Sequence, residues 1–81
     1  MRRPKFEVGE AVEVRCHHRS AGQLEWGWVR GRVVRVDQRM AAIAFEVDVF
    51  SSNGWLIPDR MLWCAHGSPN ARRPAEPADS L

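Results

Sequence analysis

The segment from Phe6 to Val36 constrains the fold most: a glycine turn, a short alternating strand, then a longer strand whose alternation slips. Gly9-Glu10 precedes Val12, Val14 and Cys16, which alternate with Glu13 and Arg15. That period of two puts apolar side chains on one strand face and charged ones on the other. His17 to Glu25 is polar, and Ser20-Ala21-Gly22-Gln23 within it predicts a loop. From Trp26 to Val36 the chain is strand-like again, with Val29, Gly31 and Val33 on one parity and Val34 and Val36 on the other. A slip at adjacent valines predicts a β-bulge, and Gly31 lets the strand bend. Such a bent strand can serve both halves of a small barrel wall.

Eighty-one residues allow one domain. A chain of that size buries only roughly 60% of its unfolded surface, so its core is small. Four Trp and three Phe with no Tyr is a heavy aromatic load. Trp28 and Trp63 are the rings expected to pack inside or to cover the barrel mouth. No apolar run approaches the roughly 20 residues of a membrane-crossing helix. Met1-Arg2-Arg3-Pro4-Lys5 has the charge of a signal-peptide start, but no apolar stretch follows it. Two cysteines without such a signal predict a cytoplasmic, reducing setting and no membrane partner.

Beyond Val36, Asp37-Gln38-Arg39-Met40 reads as a polar turn. Ala41, Ile43, Phe45, Val47 and Val49 then alternate with Ala42, Ala44, Glu46 and Asp48, which predicts a half-buried strand forming a hairpin with the preceding one. A helix would instead collect Ile43, Val47 and Phe50 on one face; the alternation is the stronger pattern. Ser51-Ser52-Asn53-Gly54 predicts a turn. Trp55-Leu56-Ile57 predicts a short strand closed by Pro58, followed by a 3₁₀ turn over residues 58–62. Trp63-Cys64-Ala65 predicts a last short strand. From Gly67 onward Pro69, Pro74 and Pro77 sit among small and charged residues, a composition that predicts disorder. The expected organisation is a basic arm at 1–5, an all-β barrel over 6–66 and a tail over 67–81.

Five short strands, a long loop after the first and a 3₁₀ turn before the last make an SH3-like layout. The chain resembles the Tudor and Agenet branch of that fold. The resemblance rests on Phe6-Glu7-Val8-Gly9-Glu10 leading into Val12-Glu13-Val14, on Trp28-Val29-Arg30-Gly31-Arg32-Val33, and on Trp55-Leu56-Ile57-Pro58 leading into Met61-Leu62. It implies a binding module, often one that reads methylated Lys or Arg through an aromatic cage. Trp55-Leu56-Ile57-Pro58 and the opening turn also resemble the plasmid-encoded (type II) dihydrofolate reductase, a barrel whose one active site arises by tetramerisation. That family places a polar amide, an aliphatic residue and a tyrosine before the proline. This chain has Leu56 and Ile57 and no tyrosine, so the substrate contacts do not carry over. The hairpin from Val29 to Val47 is similar to a KOW element, which implies RNA contact.

Three constellations carry the chemistry. Trp26, Phe50 and Trp55 are expected at strand ends around one rim, with Asp48 as a negative charge; a cation binds the faces of such rings. Arg30, Arg32 and Arg35, with Arg39 in the turn, could contact phosphates, and indoles could stack on bases. They could equally form a solvated face paired with Glu13, Glu46 and Asp48. The body from 6 to 66 holds seven Arg against five Glu and three Asp, a net of −1, so the overall +2 comes from the N-terminal arm. Cys16, His18, Cys64 and His66 form two Cys-x-His pairs that could bind zinc if the first and last strands were neighbours, although structural zinc ligands usually sit further apart in sequence. Packed thiols and loop histidines are the alternative, and no cofactor is expected. No serine has a triad order, and a single small barrel lacks a deep pocket. The expected function is therefore non-catalytic binding of a protein or peptide at the aromatic rim. The alternatives are nucleic acid on the arginine face, or a homo-oligomer with a small-molecule site between subunits.

Overall fold

The computed structural model describes residues 5–74. The arm at 1–4 and the end of the tail, 75–81, lie outside the described residues. Six strands, β1 (Ala11–Ser20), β2 (Gln23–Val36), β3 (Met40–Phe45), β4 (Val49–Phe50), β5 (Met61–Ala65) and β6 (Ala71–Arg72), carry the fold, with a 3₁₀ turn at Pro58–Arg60. The sheet runs β4-β1-β2-β3-β5, and β6 pairs with β1 beside β4. The result is a small, nearly closed all-β barrel of five strands with a 3₁₀ turn before β5, compatible with an SH3-like fold. Among the described residues no helix is long and apolar enough to cross a membrane.

The polar stretch after the first strand is not a long loop. β1 and β2 pair without interruption from Ala11↔Arg32 to Ser20↔Gln23, joined by Ala21 and Gly22 alone. Both turn residues have positive φ, 52° and 81°, the geometry of a type I′ turn, whose twist matches that of the flanking strands. The polar composition arises because the outer end of this hairpin projects beyond the core and has little to bury. Alanine is a poor occupant of left-handed space, whereas asparagine tolerates it. Ala21→Asn is therefore expected to stabilise the protein by about 1 kcal/mol, seen as a higher urea midpoint with an unchanged slope.

The slip in β2 is a bulge. The β2–β3 register shifts between Val33 and Arg35, at the adjacent valines where the alternation fails. Gly31 lies opposite Phe45, and a Cβ there would stand 2.6 Å from Ile43 Cγ2. Glycine is required because β3 comes so close. β3 stops at Phe45, and the expected strand continues only as β4 after a bend at Glu46 and Val47. Trp55 to Ile57 contributes a single bridge, Phe50↔Leu56, rather than a strand. In the 3₁₀ turn Asp59 and Arg60 both have positive φ, 65° and 51°. Arg60 is held there by Asp48 Oδ1 at 3.0 Å and the Glu46 carbonyl at 3.1 Å.

The core consists of Phe6, Val12, Val14, Cys16, Val33, Ala41, Ile43, Phe45, Val49 and Ala71. No tryptophan belongs to it, which corrects the expectation for Trp28 and Trp63. Val12, Val14 and Cys16 face inward opposite Gly31, Val29 and Gly27, so Trp26 and Trp28 face outward with Arg15 and His17. Trp63 stands opposite Ala42 on the outer side of β3–β5. The interior is narrow, as the approach at Gly31 shows, and two phenylalanines with small aliphatics fill it.

The chain remains ordered past His66. Ala71 is buried, β6 pairs with Glu13 and Val14, and Arg72 Nε donates to Glu13 Oε1 at 2.8 Å. Arg73 pairs with Glu10, donates to the Lys5 carbonyl and lies over the Phe6 ring. His66 fastens the same region: its Nδ1 accepts from the Phe6 amide at 3.1 Å, so its Nε2 carries the proton donated to the Asp37 carbonyl at 2.9 Å.

Asp37 organises the β2–β3 turn. Its Oδ1 accepts from the amides of Met40 (2.7 Å) and Arg39 (2.8 Å). These bonds, with the nearby charge of Arg39, hold the carboxyl below its ordinary value of 3.8. A depressed folded value makes this stabilisation complete above the unfolded value and lost as pH falls through the folded one. Asp37→Asn is thus expected to lower the urea midpoint at neutral pH, with the gap from wild type closing on acidification below 3.8.

Candidate functional site

A seam in the barrel wall defines the candidate site. Among the described residues β5 pairs with β3 only. The edge of β1 away from β2 is taken by β6, by the Asn70 carbonyl (accepting from the Arg15 amide at 2.8 Å) and by β4. Between β5 and this covered edge lies an open groove of about 330 Å³. Trp26, Phe50, Trp63 and His17 line it, and Cys16 and Cys64 contribute to its lining from the inward faces of β1 and β5.

Strand register assembles the aromatic bank. His17 lies opposite Trp26 on one side and Phe50 on the other. The His17 and Trp26 rings sit 4.9 Å apart and tilted by 59°. Trp26 is 57% exposed and Trp63 46%. Arg19 lies over Phe50, with its Cζ 5.4 Å from the ring centroid. Arg15 also lines the groove; its guanidinium donates to Asn70 Oδ1 at 3.0 and 3.2 Å and stands over Trp28 at 5.3 Å. No carboxylate is among the groove's lining residues.

Two members of the expected rim lie elsewhere. Trp55 is 73% exposed but does not line the groove. It follows a turn in which Ser51 and Gly54 are bonded to one another and Ser51 Oγ accepts from the Trp55 amide. Asp48 is bridged between Arg60 and Arg19 at 3.0 and 3.2 Å. Those guanidiniums hold its carboxyl below the ordinary value, Arg60 more than Arg19. A carboxylate so occupied offers little to a bound cation.

Arg30 and Arg32 share the outer face of β2, and the bulge brings Arg35 onto it. Arg32 pairs with Ala44 and Arg35 with Ala42, two positions of one parity on β3. The Arg32 side chain donates to the Gly9 carbonyl at 2.7 Å, whereas among the described residues the side chains of Arg30 and Arg35 make no hydrogen bond or ion pair. Arg39 sits in the β2–β3 turn. A second groove of about 390 Å³ contains Arg30 and Arg32 together with Glu46. Trp28, which neighbours this stripe, is covered by Arg72 with Cζ 3.8 Å from its ring centroid. It fastens β6 rather than presenting a free face.

The Cys/His set does not assemble into a metal site among the described residues. Both His66 nitrogens are engaged, and His18 Nδ1 lies 3.2 Å from the Cys16 carbonyl, to which only a protonated nitrogen can donate. Both thiols are free. Burial, followed by the neighbouring Cys64, pushes the Cys16 thiol up to about 11, and burial raises Cys64.

His17, Arg15 and Trp63 line the groove although the expected rim does not include them. Ala21-Gly22 held the signal for the first two: counting back from a two-residue turn sets His17 opposite Trp26 and Arg15 opposite Trp28. No family model, curated protein or solved structure matches this chain, so the groove's chemistry is read from its own residues.

Proposed function

We propose that the protein is a non-catalytic binding module, Tudor- or Agenet-like in type, that holds a protein or peptide partner in the seam groove. The convergence of Trp26, Phe50 and Trp63 on one open groove carries this reading. Solvent-facing indoles of this kind are the usual anchors of binding surfaces. The rings act here as apolar anchors rather than as a methyl-cation cage, because Arg15 is the charged residue lining the groove and Asp48 is engaged outside it. The two raised thiols fit a non-catalytic role, since the thiolate is the nucleophilic form.

The alternative partner is a single-stranded nucleic acid along Arg30, Arg32 and Arg35. It is favoured by the bulge that places Arg35 beside the other two. One experiment separates the readings. The full chain is panned against a random decapeptide display library, and a deoxythymidine 15-mer is titrated in parallel. Selected peptides are expected to lose about 30-fold in affinity with Trp26→Ala, the effect of removing one aromatic anchor, and to ignore Trp55→Ala. Failure to select any peptide, or indifference to Trp26, removes the peptide reading. Oligonucleotide binding whose affinity falls with salt, at a log–log slope near −2 for three phosphate contacts, replaces it.

A further inference from the structure

The backbone on the groove's β5 bank is as informative as its side chains. The His66 amide donates to the Arg39 carbonyl at 3.0 Å. Hydrogen-bonded and non-bonded pairs alternate along an antiparallel ladder, so Cys64 and Leu62 bond to β3 through Ala41 and Ile43. Met61, Trp63 and Ala65 therefore direct their amides and carbonyls away from β3, into the seam. Among the described residues no strand pairs with that edge; only the Ala65 carbonyl is used, by the Ser68 amide at 3.1 Å.

Sheet edges are ordinarily blunted by charge, proline or bulges. β5 reads Met61-Leu62-Trp63-Cys64-Ala65, with none of these. Its open amides recur every second residue, roughly 6.6 Å apart in an extended strand. An extended peptide matches that spacing with alternating donors and acceptors, which a nucleic-acid backbone lacks. Charge narrows the class further. Among the described residues Arg15 faces the groove with a neutral amide and an aromatic ring as its side-chain partners, and no lining carboxylate offsets it.

We infer that the partner is an extended acidic peptide segment with a bulky apolar residue, which adds to β5 as a strand and seats that residue among Trp26, Phe50 and Trp63. This inference rests on the peptide-binding reading above and specifies its mode. Arg15 shares the outer face with Trp26 and His17, so a carboxylate two residues from the seated apolar side chain, on the same face of the added strand, comes within its reach.

The test uses decapeptides selected from the display library and hydrogen exchange on the full chain. The selected sequences are expected to be enriched in Asp and Glu around an aromatic or large aliphatic residue. On binding, the amides of Met61, Trp63 and Ala65 are expected to slow by at least about tenfold, while those of Leu62 and Cys64, already bonded to β3, change little. Methylating alternate backbone nitrogens of the peptide should abolish binding, and Arg15→Gln should weaken it while leaving the urea midpoint near that of wild type. Peptides that need Trp26 yet leave the three amides unprotected, or tolerate backbone methylation, overturn strand addition and leave the groove reading standing. Selection of basic peptides overturns the acidic class. Protection of the three amides in the free chain that rises with protein concentration assigns the edge to a second copy instead. Failure to select any peptide overturns the inference together with the reading beneath it.

Discussion

Replacing Gly31 with alanine is expected to cost about 1–3 kcal/mol of stability, the range for forcing an extra group into a packed core. In an ordinary strand the same change would help, because glycine loses the most conformational freedom on folding. Here the new Cβ would lie 2.6 Å from Ile43 Cγ2, 2.7 Å from the Ala44 carbonyl oxygen and 2.9 Å from Phe45 Cδ1. The carbonyl belongs to the neighbouring backbone of β3, so no rotamer change removes the collision. A domain of this length has roughly 4–12 kcal/mol in total, and the loss is a large share of it. Urea denaturation followed by circular dichroism measures the change. An unchanged midpoint would mean that β3 does not lie against β2 at this point.

The second large effect is expected at Ile43. Ile43→Ala should destabilise by about 2–5 kcal/mol and Ile43→Val by about 0.5–1.5. Ile43 is fully buried and stands between Val33 of β2 and Leu62 of β5 in the ladder, at the middle of the core. The residues beside it are already small, Gly31 on the adjacent strand and Ala41 two positions along its own, so little can move in to fill the space. The graded pair of substitutions separates a cavity effect from a general loss of fold. A cost below about 1 kcal/mol for alanine would move the centre of the core away from β3.

The parts of the fold written in short-range pattern were legible. Val33-Val34 marked the bulge, Ser51 to Gly54 the turn, and Pro58 the 3₁₀ turn, whereas Gly31, read as a bend, marks the close approach of β3. The β1–β2 hairpin was not legible, because alanine stands where type I′ turns favour asparagine or aspartate, and because the stretch from His17 to Glu25 is mostly polar. The tryptophans misled for a related reason. Size and hydrophobicity argue for burial, but parity counted from the hairpin places Trp26 and Trp28 outside, and the space at Gly31 cannot take an indole. Trp26 and Phe50 were recognisable as rim residues, whereas Trp63 and His17 join them only through register across three strands. β6 was hidden because it is held by Glu13 and Trp28, 59 and 44 positions before Arg72, and because Arg73 beside it lies over Phe6, near the start of the chain.

That last separation has a consequence for how the chain is made. Phe6 waits for His66, Glu13 for Arg72 and Lys5 for Arg73, across 60, 59 and 68 residues. At about 5–20 residues per second of synthesis, the start of the chain emerges roughly 3–12 s before its closing partners exist. During that interval β1 and β2 can pair through their two-residue turn, but the edge of β1 that β6 will cover is open. The nascent hairpin thus meets the rest of the cell with a second unpaired edge, that of β1, whereas the finished barrel covers it and leaves open the edge of β5 among its described strands. The β1 edge closes when Ala71 and Arg72 pair with it.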